Sequence, residues 1–572
     1  MRQAIPLLFL ATACSHGPKP FPLRDPFVVD TDTHPVSVTC RKEPTKDNPN
    51  AQNCSPRAYI SPFIWDFVDN LLFARISRGL ALEVHGEARN VNSMDEVPDS
   101  AWFKNKPVTG PEDKAPGACD ENDMLPGPDD VQPGEWVIDH GKDNGSTLGF
   151  RINVKGKGKY MLKADDAGKP DRATAASVIG AAIYDSIGYN TSCEQIVKLH
   201  KEQLKLTPGL TVTSNAGITR PFDDAALDKV LNSTTQLGNG LVRMQASKWL
   251  PGQPIGPFRY IGTRDDDPND VINHADRREL RGMRVLAAWL DHWDAREQNS
   301  MDVWFAVDKE KKKSSPGFVK HYILDTSDTL GEETTFDDMS RRLGFSYTFS
   351  VGDIATQLFT FGAVEEPWDR AHKTKGYEQF GYFSSRDFDP DGWVPGYPNP
   401  AFLRATERDN AWMARKIAAF SPEDVRKFVE LGKWSKPAEG EYVYNILMDR
   451  QRRILRRYLT KLSPLGDIAS DRGQICATDF ARLREVFPTD VFKYTVIERG
   501  WNVNTTVPAT VDDHSRVCFV PQPTNPGEVA DSDKRRRVEL VVHNGTSAKP
   551  LIIHAYDLGT RGMKVVGITR AH

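Results

Sequence analysis

The sequence predicts an α+β chain: a β-rich front, a helical middle and a β-rich tail. Three observations carry this. Short strand-like runs split by turn residues occupy 135–165, capped helical patterns occupy 406–462, and strand texture returns after 466. At about 150 residues per domain, 572 residues leave room for several domains. Hydrophobic residues are 39% and charged residues 27%, which excludes a wholly disordered chain and a polytopic membrane protein. Lys+Arg is 74 against 78 for Asp+Glu, a formal charge of −4, so no nucleic-acid partner is expected. KEKKK (309–313) and KRRR (534–537) read as solvated turns, being short and neighboured by acids.

In chain order, Arg2 and the apolar Ile5–Ala13 predict a secretory signal over 1–13, too short to span a bilayer. Ala11, Thr12 and Ala13 lead into Cys14, which resembles the lipidated cysteine of a bacterial lipoprotein. An ordinary signal followed by a chance cysteine is the other reading. Ser15 after it resembles the outer-membrane sorting pattern, so an exported outer-membrane or periplasmic chain with a lipid anchor in the membrane is expected. Residues 14–56 read as a Pro-rich tether and loop-rich segment, and 57–130 as an N-terminal extension with apolar, helix-like runs over 57–92. Beyond Cys14 six cysteines remain. An even number in an exported chain is compatible with disulfides, in 15 possible pairings. The local pairs Cys40–Cys54 and Cys476–Cys518 are the simplest.

From 131 to 465 the elements form one series. EWVIDHG, STLGFRINV and KYMLKAD are three strands. Asp171–Ile187 is a helix with Val178, Ile179, Ala182 and Ile183 on one face and Gly188 past its end. Strand texture recurs at 195–200 and 240–250. Residues 274–290 form an amphipathic helix with Leu280, Met283, Ala287 and Leu290 in step. MDVWFAV (301–307) and VKHYILD (319–325) form a hairpin. Helices follow over 406–420, from Ser421 (N-cap) and Pro422 to Gly432, and over 442–462. The aromatic-rich 380–402 reads as packing rather than as the lining of a cleft. Residues 466–572 read as a separate β domain.

Chemistry concentrates in three short stretches. Lys163 ends the third strand. His292-Trp293-Asp294 is followed by Asn299, an H-x-D-x-x-x-x-N spacing. Asp325 follows the second strand of the hairpin. Taken in that order, on those elements, they resemble a protein-kinase-like fold: a two-lobed core with a β-rich N-lobe and a helical C-lobe. The chain is similar to exported bacterial lipoproteins distantly related to HipA, CotH and lipid-kinase cores. That family brings no activity of its own to carry over.

The resemblance implies roles. Lys163 contacts nucleotide phosphate, Asp294 accepts the proton of the attacking hydroxyl, with His292 in the same loop, and Asn299 and Asp325 hold metal, with Mg-ATP as cofactor. The substrate would be an envelope or extracellular protein or glycan. The sequence also departs from the kinase pattern. Ser177 stands where a lysine-pairing glutamate is expected, and Asp185 is the only acid farther along that helix. No G-x-G-x-x-G covers the phosphates, leaving GSTLGF (145–150) and KGKGK (155–159) as phosphate-side turns. A non-catalytic binding or scaffold lipoprotein of the envelope is therefore the second reading. HExxH, CxxC and G-x-S-x-G do not occur, so zincin, zinc-ribbon and α/β-hydrolase chemistry have no motif.

Overall fold

The computed structural model describes residues 21–26, 28–44, 48–61, 65, 68–74, 76–77, 86–106, 117–142, 147–166, 168–213, 218–311, 314–331, 337–471, 473–499, 504–522 and 536–570. The expected signal and Cys14 lie outside them, as do 62–64, 66–67, 75 and 78–85 of the expected helix over 57–92. The described part holds a π-helical turn, Asp69–Phe73, with α-helical residues at 65, 68, 74 and 76–77, while 57–61 and 86–92 are not helical. Two compact units form. One comprises Pro26–Val91 and Val97–Tyr458. The other joins Asn92–Glu96 and Leu459–His572 with the chain's start.

In the larger unit a small hairpin, β1 (Arg41–Lys42) and β2 (Gln52–Asn53), is closed by the Cys40–Cys54 disulfide. The main sheet follows: β3 (Trp136–Lys142), β4 (Gly149–Val154) and β5 (Gly158–Lys163). Their inward residues, Trp136, Ile138, Phe150, Ile152, Tyr160 and Leu162, are fully buried, the alternation of a half-covered sheet. Next come β6 (Asn190–Thr191), β7 (Glu194–His200), β8 (Leu204–Leu206) and the hairpin β9 (Thr211–Thr213) and β10 (Thr219–Pro221). Then come β11 (Thr235–Gly238) and β12 (Leu241–Lys248). The main sheet runs β11-β12-β5-β4-β3-β8, with β7 also paired to β12. Helix α1 (Arg172–Ile187) is buried almost throughout. Asp171, expected as its first residue, instead precedes it with a left-handed backbone (φ 66°) and turns its carboxylate to Thr235, Arg243 and Ser435. Helix α2 (Asp224–Ser233) precedes β11.

Helix α3 (Arg278–Leu290) starts after a 3-10 turn at His274–Asp276, so the expected continuous helix is broken near its start. It is buried on nearly all sides, and two of its arginines are met by acids: Arg278 by Asp409 at 3.1 Å, and Arg281 by Asp276 at 2.5 Å. It leads into β14 (Ser300–Ala306) and β15 (Gly317–Ile323), a hairpin in a sheet with β13 (Gln253–Pro254) and β6. Helices α4 (Asp337–Arg342), α5 (Val351–Thr360) and α6 (Pro400–Leu403) precede three longer ones, α7 (Glu407–Ala419), α8 (Pro422–Glu430) and α9 (Pro437–Tyr458). Thr406 and Ser421 cap α7 and α8 through capping boxes. The aromatic segment packs: Phe380, Phe383, Phe388 and Trp393 are buried, and the guanidinium of Arg450 lies over Phe383 and Phe388.

The smaller unit holds two antiparallel sheets. β16 (Leu465–Asp471), β17 (Gln474–Asp479), β20 (Ala509–Val511) and β21 (Arg516–Phe519) form one, in the order β16-β17-β21-β20. β18 (Thr495–Arg499), β19 (Thr505–Val507), β22 (Arg536–His543), β23 (Leu551–Asp557) and β24 (Met563–Arg570) form the other, in the order β19-β18-β22-β23-β24. Cys476–Cys518 joins β17 to β21 across directly paired positions, and Cys119–Cys193, in the larger unit like Cys40–Cys54, is the third disulfide. Three disulfides suit an oxidising compartment. Among the described residues no helix is long and apolar enough to cross a membrane.

Candidate functional site

The β14–β15 hairpin sets the first half of the site. Ser300 pairs with Ile323, and the next rung is made by Leu324 N donating to Asn299 O at 2.9 Å. Asn299 and Asp325 therefore emerge side by side from one end of the hairpin. Asp325 has a left-handed backbone (φ 48°), which Asp tolerates better than most residues. The chain after it is pinned to α1. Thr326 Oγ1 donates to Ser177 O at 2.8 Å, Thr329 Oγ1 donates to Ala176 O at 3.2 Å, and Arg172 Nη1 reaches the carbonyls of Ser327 and Gly331. This contact needs a glycine at 180, where a Cβ would lie 2.7 Å from Thr326 Cβ.

Lys163 ends β5, and its ammonium lies 3.0 Å from Asp325 Oδ1. The lysine side chain is 14% exposed and the aspartate 41%, so the pair opens on solvent from the aspartate side. Ser327 Oγ also donates to Asp325 Oδ1, at 2.7 Å. Burial pushes the Asp325 carboxyl up, but Lys163, Ser327 and Lys142 together hold it far below the usual carboxylate range. For Lys163, burial is outweighed by Asp325, Glu194 and Asp328, and its ammonium is held above the usual range.

The loop after α3 supplies the other half. Both oxygens of Asp294 are engaged: Arg296 Nε lies 2.7 Å from Oδ1, and Asn299 Nδ2 donates to Oδ2 at 3.0 Å. The Asp294 amide donates to Asp328 Oδ2 at 3.0 Å. His292 is buried, with Nδ1 2.8 Å from Tyr184 Oη and Nε2 3.6 Å from Asp328 Oδ1. Burial pulls its pKa down to about 4, so it is neutral near pH 7 and acts as a brace between α1 and the loop.

Two residues the sequence reading passed over belong here. Glu194, at the start of β7, interacts electrostatically with Lys163 and accepts hydrogen bonds from Ser192 (2.5 Å), Ser247 (2.7 Å) and Gln245. Burial raises its pKa to about 7 despite Lys163 and these donors. Helix α1 supplies no such acid. Ser177 offers its carbonyl to Thr326, and Asp185 pairs with Lys106 at 2.6 Å. Lys142, at the end of β3, is the second. Burial and the charge of Lys163 lower its pKa to about 8. Only the strand register reveals either residue. The same register separates the two candidate turns. Leu148 O accepts from Ala164 N, beside Lys163, whereas KGKGK closes the opposite end of the β4–β5 hairpin, where Val154 pairs with Gly158.

The donor chemistry fits a hard cation. Asp325 and Asn299 offer oxygen atoms from neighbouring backbone positions, and Mg²⁺ is commonly held by one or two carboxylates together with substrate phosphates. Among the described residues no group of three His, Cys, Asp or Glu forms a closed metal cage.

No family model matches the chain. SNAP25 homologous protein SNAP33 of Arabidopsis thaliana is 26% identical over 197 residues, 33% of this chain and 63% of that protein. The chain thus spans less than two thirds of the length of the curated relative it matches. A crystal structure of the Golgi casein kinase is similar over 57% of this chain and 71% of that one, at 12% identity and a TM-score of 0.29. The same kinase with Mn/ADP bound covers the same shares at 11% identity and a TM-score of 0.27. The chain is a mixed α/β fold whose similarity to these kinase structures is weak.

Proposed function

We propose that this is an exported, lipid-anchored kinase-like protein of the bacterial envelope that transfers phosphoryl groups to an envelope or extracellular protein or glycan. Its core has a β-rich lobe and a helical lobe, and Cys14 carries the anchor. The single observation that supports this most is the meeting of Lys163 with Asp325, beside Asn299, from elements far apart in sequence.

In this reading Lys163 binds phosphate and is kept charged by Asp325 and Glu194. Asn299 and Asp325 hold Mg²⁺, which when bound supplies charge neutralisation on the transferring phosphoryl. Asp294 takes the proton of the attacking hydroxyl as the phosphoryl passes to that oxygen and ADP leaves. It must first exchange its present partners, Arg296 and Asn299, for the substrate hydroxyl.

A thermal-shift titration of the full, disulfide-bonded chain with Mg·ATP and Mn·ATP tests the reading. A ligand at 100 times its dissociation constant stabilises the native state by about 2.7 kcal/mol. The shift should need metal and vanish in Asp325→Ala, while Asp294→Asn should bind nucleotide and lose turnover. Unchanged turnover in Asp294→Asn sinks the assignment of the base.

The engagement of both Asp294 oxygens favours a second reading, a non-catalytic envelope scaffold that keeps the fold. An Asp294-dependent mass increase on a co-incubated envelope protein or glycan would refute it.

A further inference from the structure

The main sheet places two lysines in one cross-strand row. Lys142 pairs with Gly149, Gly149 with Lys163, and Lys163 with Gln245. Directly paired residues share a face of a sheet, so the two ammonium-bearing side chains stand on the same face with a glycine between them. A Cβ at Gly149 would sit 2.3 Å from Leu162 O and 3.4 Å from Lys142 Cδ, so no side chain divides the pair.

The two lysines are treated unequally. Lys163 has Asp325 at 3.0 Å. Lys142 Nζ donates to Thr147 O at 2.6 Å and Thr147 Oγ1 at 3.3 Å, with no carboxylate ion pair among the described residues. A half-buried cation that faces another cation and lacks its own acid is costly unless an anion joins it. Burial and Lys163 depress its pKa against the opposing charges of Asp325 and Asp166, and an arriving anion would reduce that cost further.

We propose that Lys142, Gly149 and Lys163 form a two-lysine cradle for a condensed phosphate chain, with Lys142 as a second phosphate-binding residue. This rests on the phosphotransferase reading for Lys163 and extends it. The shared ligand chemistry is a di- or triphosphate, from either a nucleoside triphosphate or an inorganic polyphosphate.

Calorimetric titration of the full, disulfide-bonded chain at pH 7 with Mg·ATP and with inorganic tripolyphosphate decides it. Lys142→Gln should weaken both ligands at least tenfold, Lys142→Arg should stay within about threefold of wild type, and Lys159→Gln, remote at the KGKGK end, should change neither. Tenfold or tighter preference for ATP assigns the nucleoside source, and equal affinity assigns polyphosphate. Because Lys142 opposes Lys163, ligand-free Lys142→Gln should melt no lower than wild type, which separates lost binding from lost folding. Wild-type affinity in Lys142→Gln overturns the cradle and leaves the phosphotransferase reading standing. Lys142-dependent binding without any transfer supports the cradle and refutes that reading. No binding of either ligand by wild type overturns the cradle.

Discussion

Arg243→Met should be among the most destabilising single changes near the site. Arg243 is fully buried on β12. Its Nη1 lies 3.4 Å from both Asp165 Oδ2 and Asp171 Oδ1 and bonds Thr174 Oγ1, and its Nη2 donates to Gly432 O at 2.5 Å. The acids are buried too, at 0% and 1% side-chain exposure. Removing one partner from such a set leaves uncompensated buried charge and costs about 3–5 kcal/mol. With a urea slope of about 3 kcal/mol/M, the unfolding midpoint followed by tryptophan fluorescence should fall by about 1–1.7 M. The deficit should depend on pH. Burial already raises the Asp165 pKa, and Arg243 is the main influence lowering it. Without Arg243 that pKa rises further, so the variant is least impaired where Asp165 is protonated and worsens as pH rises. Adding Asp165→Asn should restore part of the loss at pH 8. A midpoint within about 0.3 M of wild type at pH 8, or no recovery in the double variant, would refute the argument.

Two other outcomes follow from the site's surroundings. Cys119→Ser with Cys193→Ser opens a 74-residue loop and should cost up to about 4.5 kcal/mol by chain entropy, read as a melting temperature below oxidised wild type and above fully reduced wild type, in which all three disulfides are open. Glu194→Gln tests the raised carboxyl. A folded pKa near 7 against an ordinary 4.5 means that stability present below about 4.5 is lost as pH rises through 7. The variant should therefore gain on wild type between pH 5 and pH 8, and parallel melting curves over that range would count against a charged, buried Glu194.

Legibility followed distance along the chain. Helix α1 was readable because its apolar face and Gly188 are local signals, and the observed Arg172–Ile187 ends where expected. The hairpin of 301–325 was readable from alternation, and with it the neighbourhood of Asn299 and Asp325. Helix α5 was not read, although Ser350 and Asp353 carry a cap signal that the structure uses at 3.3 Å. Lys142 and Glu194 could not be read, because their place depends on the pairing of β3, β4, β5, β12 and β7, and no local pattern encodes that order. The search for a lysine partner on α1 failed for the same reason: the acid comes from a strand. The third disulfide joins a loop to the residue just before β7 across 74 positions, equally beyond local reading.

The arginines of α3 have a consequence for how such a chain can diverge. Arg278 and Arg281 are each buried and matched to a carboxylate, Asp409 fully buried and Asp276 19% exposed. A lone substitution at either end strands a charge, so drift must proceed through paired changes, which are rare. Asn299, part-buried and held by hydrogen bonds to Asp294 rather than by an ion pair, can be altered with less harm to folding. Among distant relatives the helix and its acids should therefore outlast the site they support. A descendant that has lost its chemistry would still be recognisable by its scaffold.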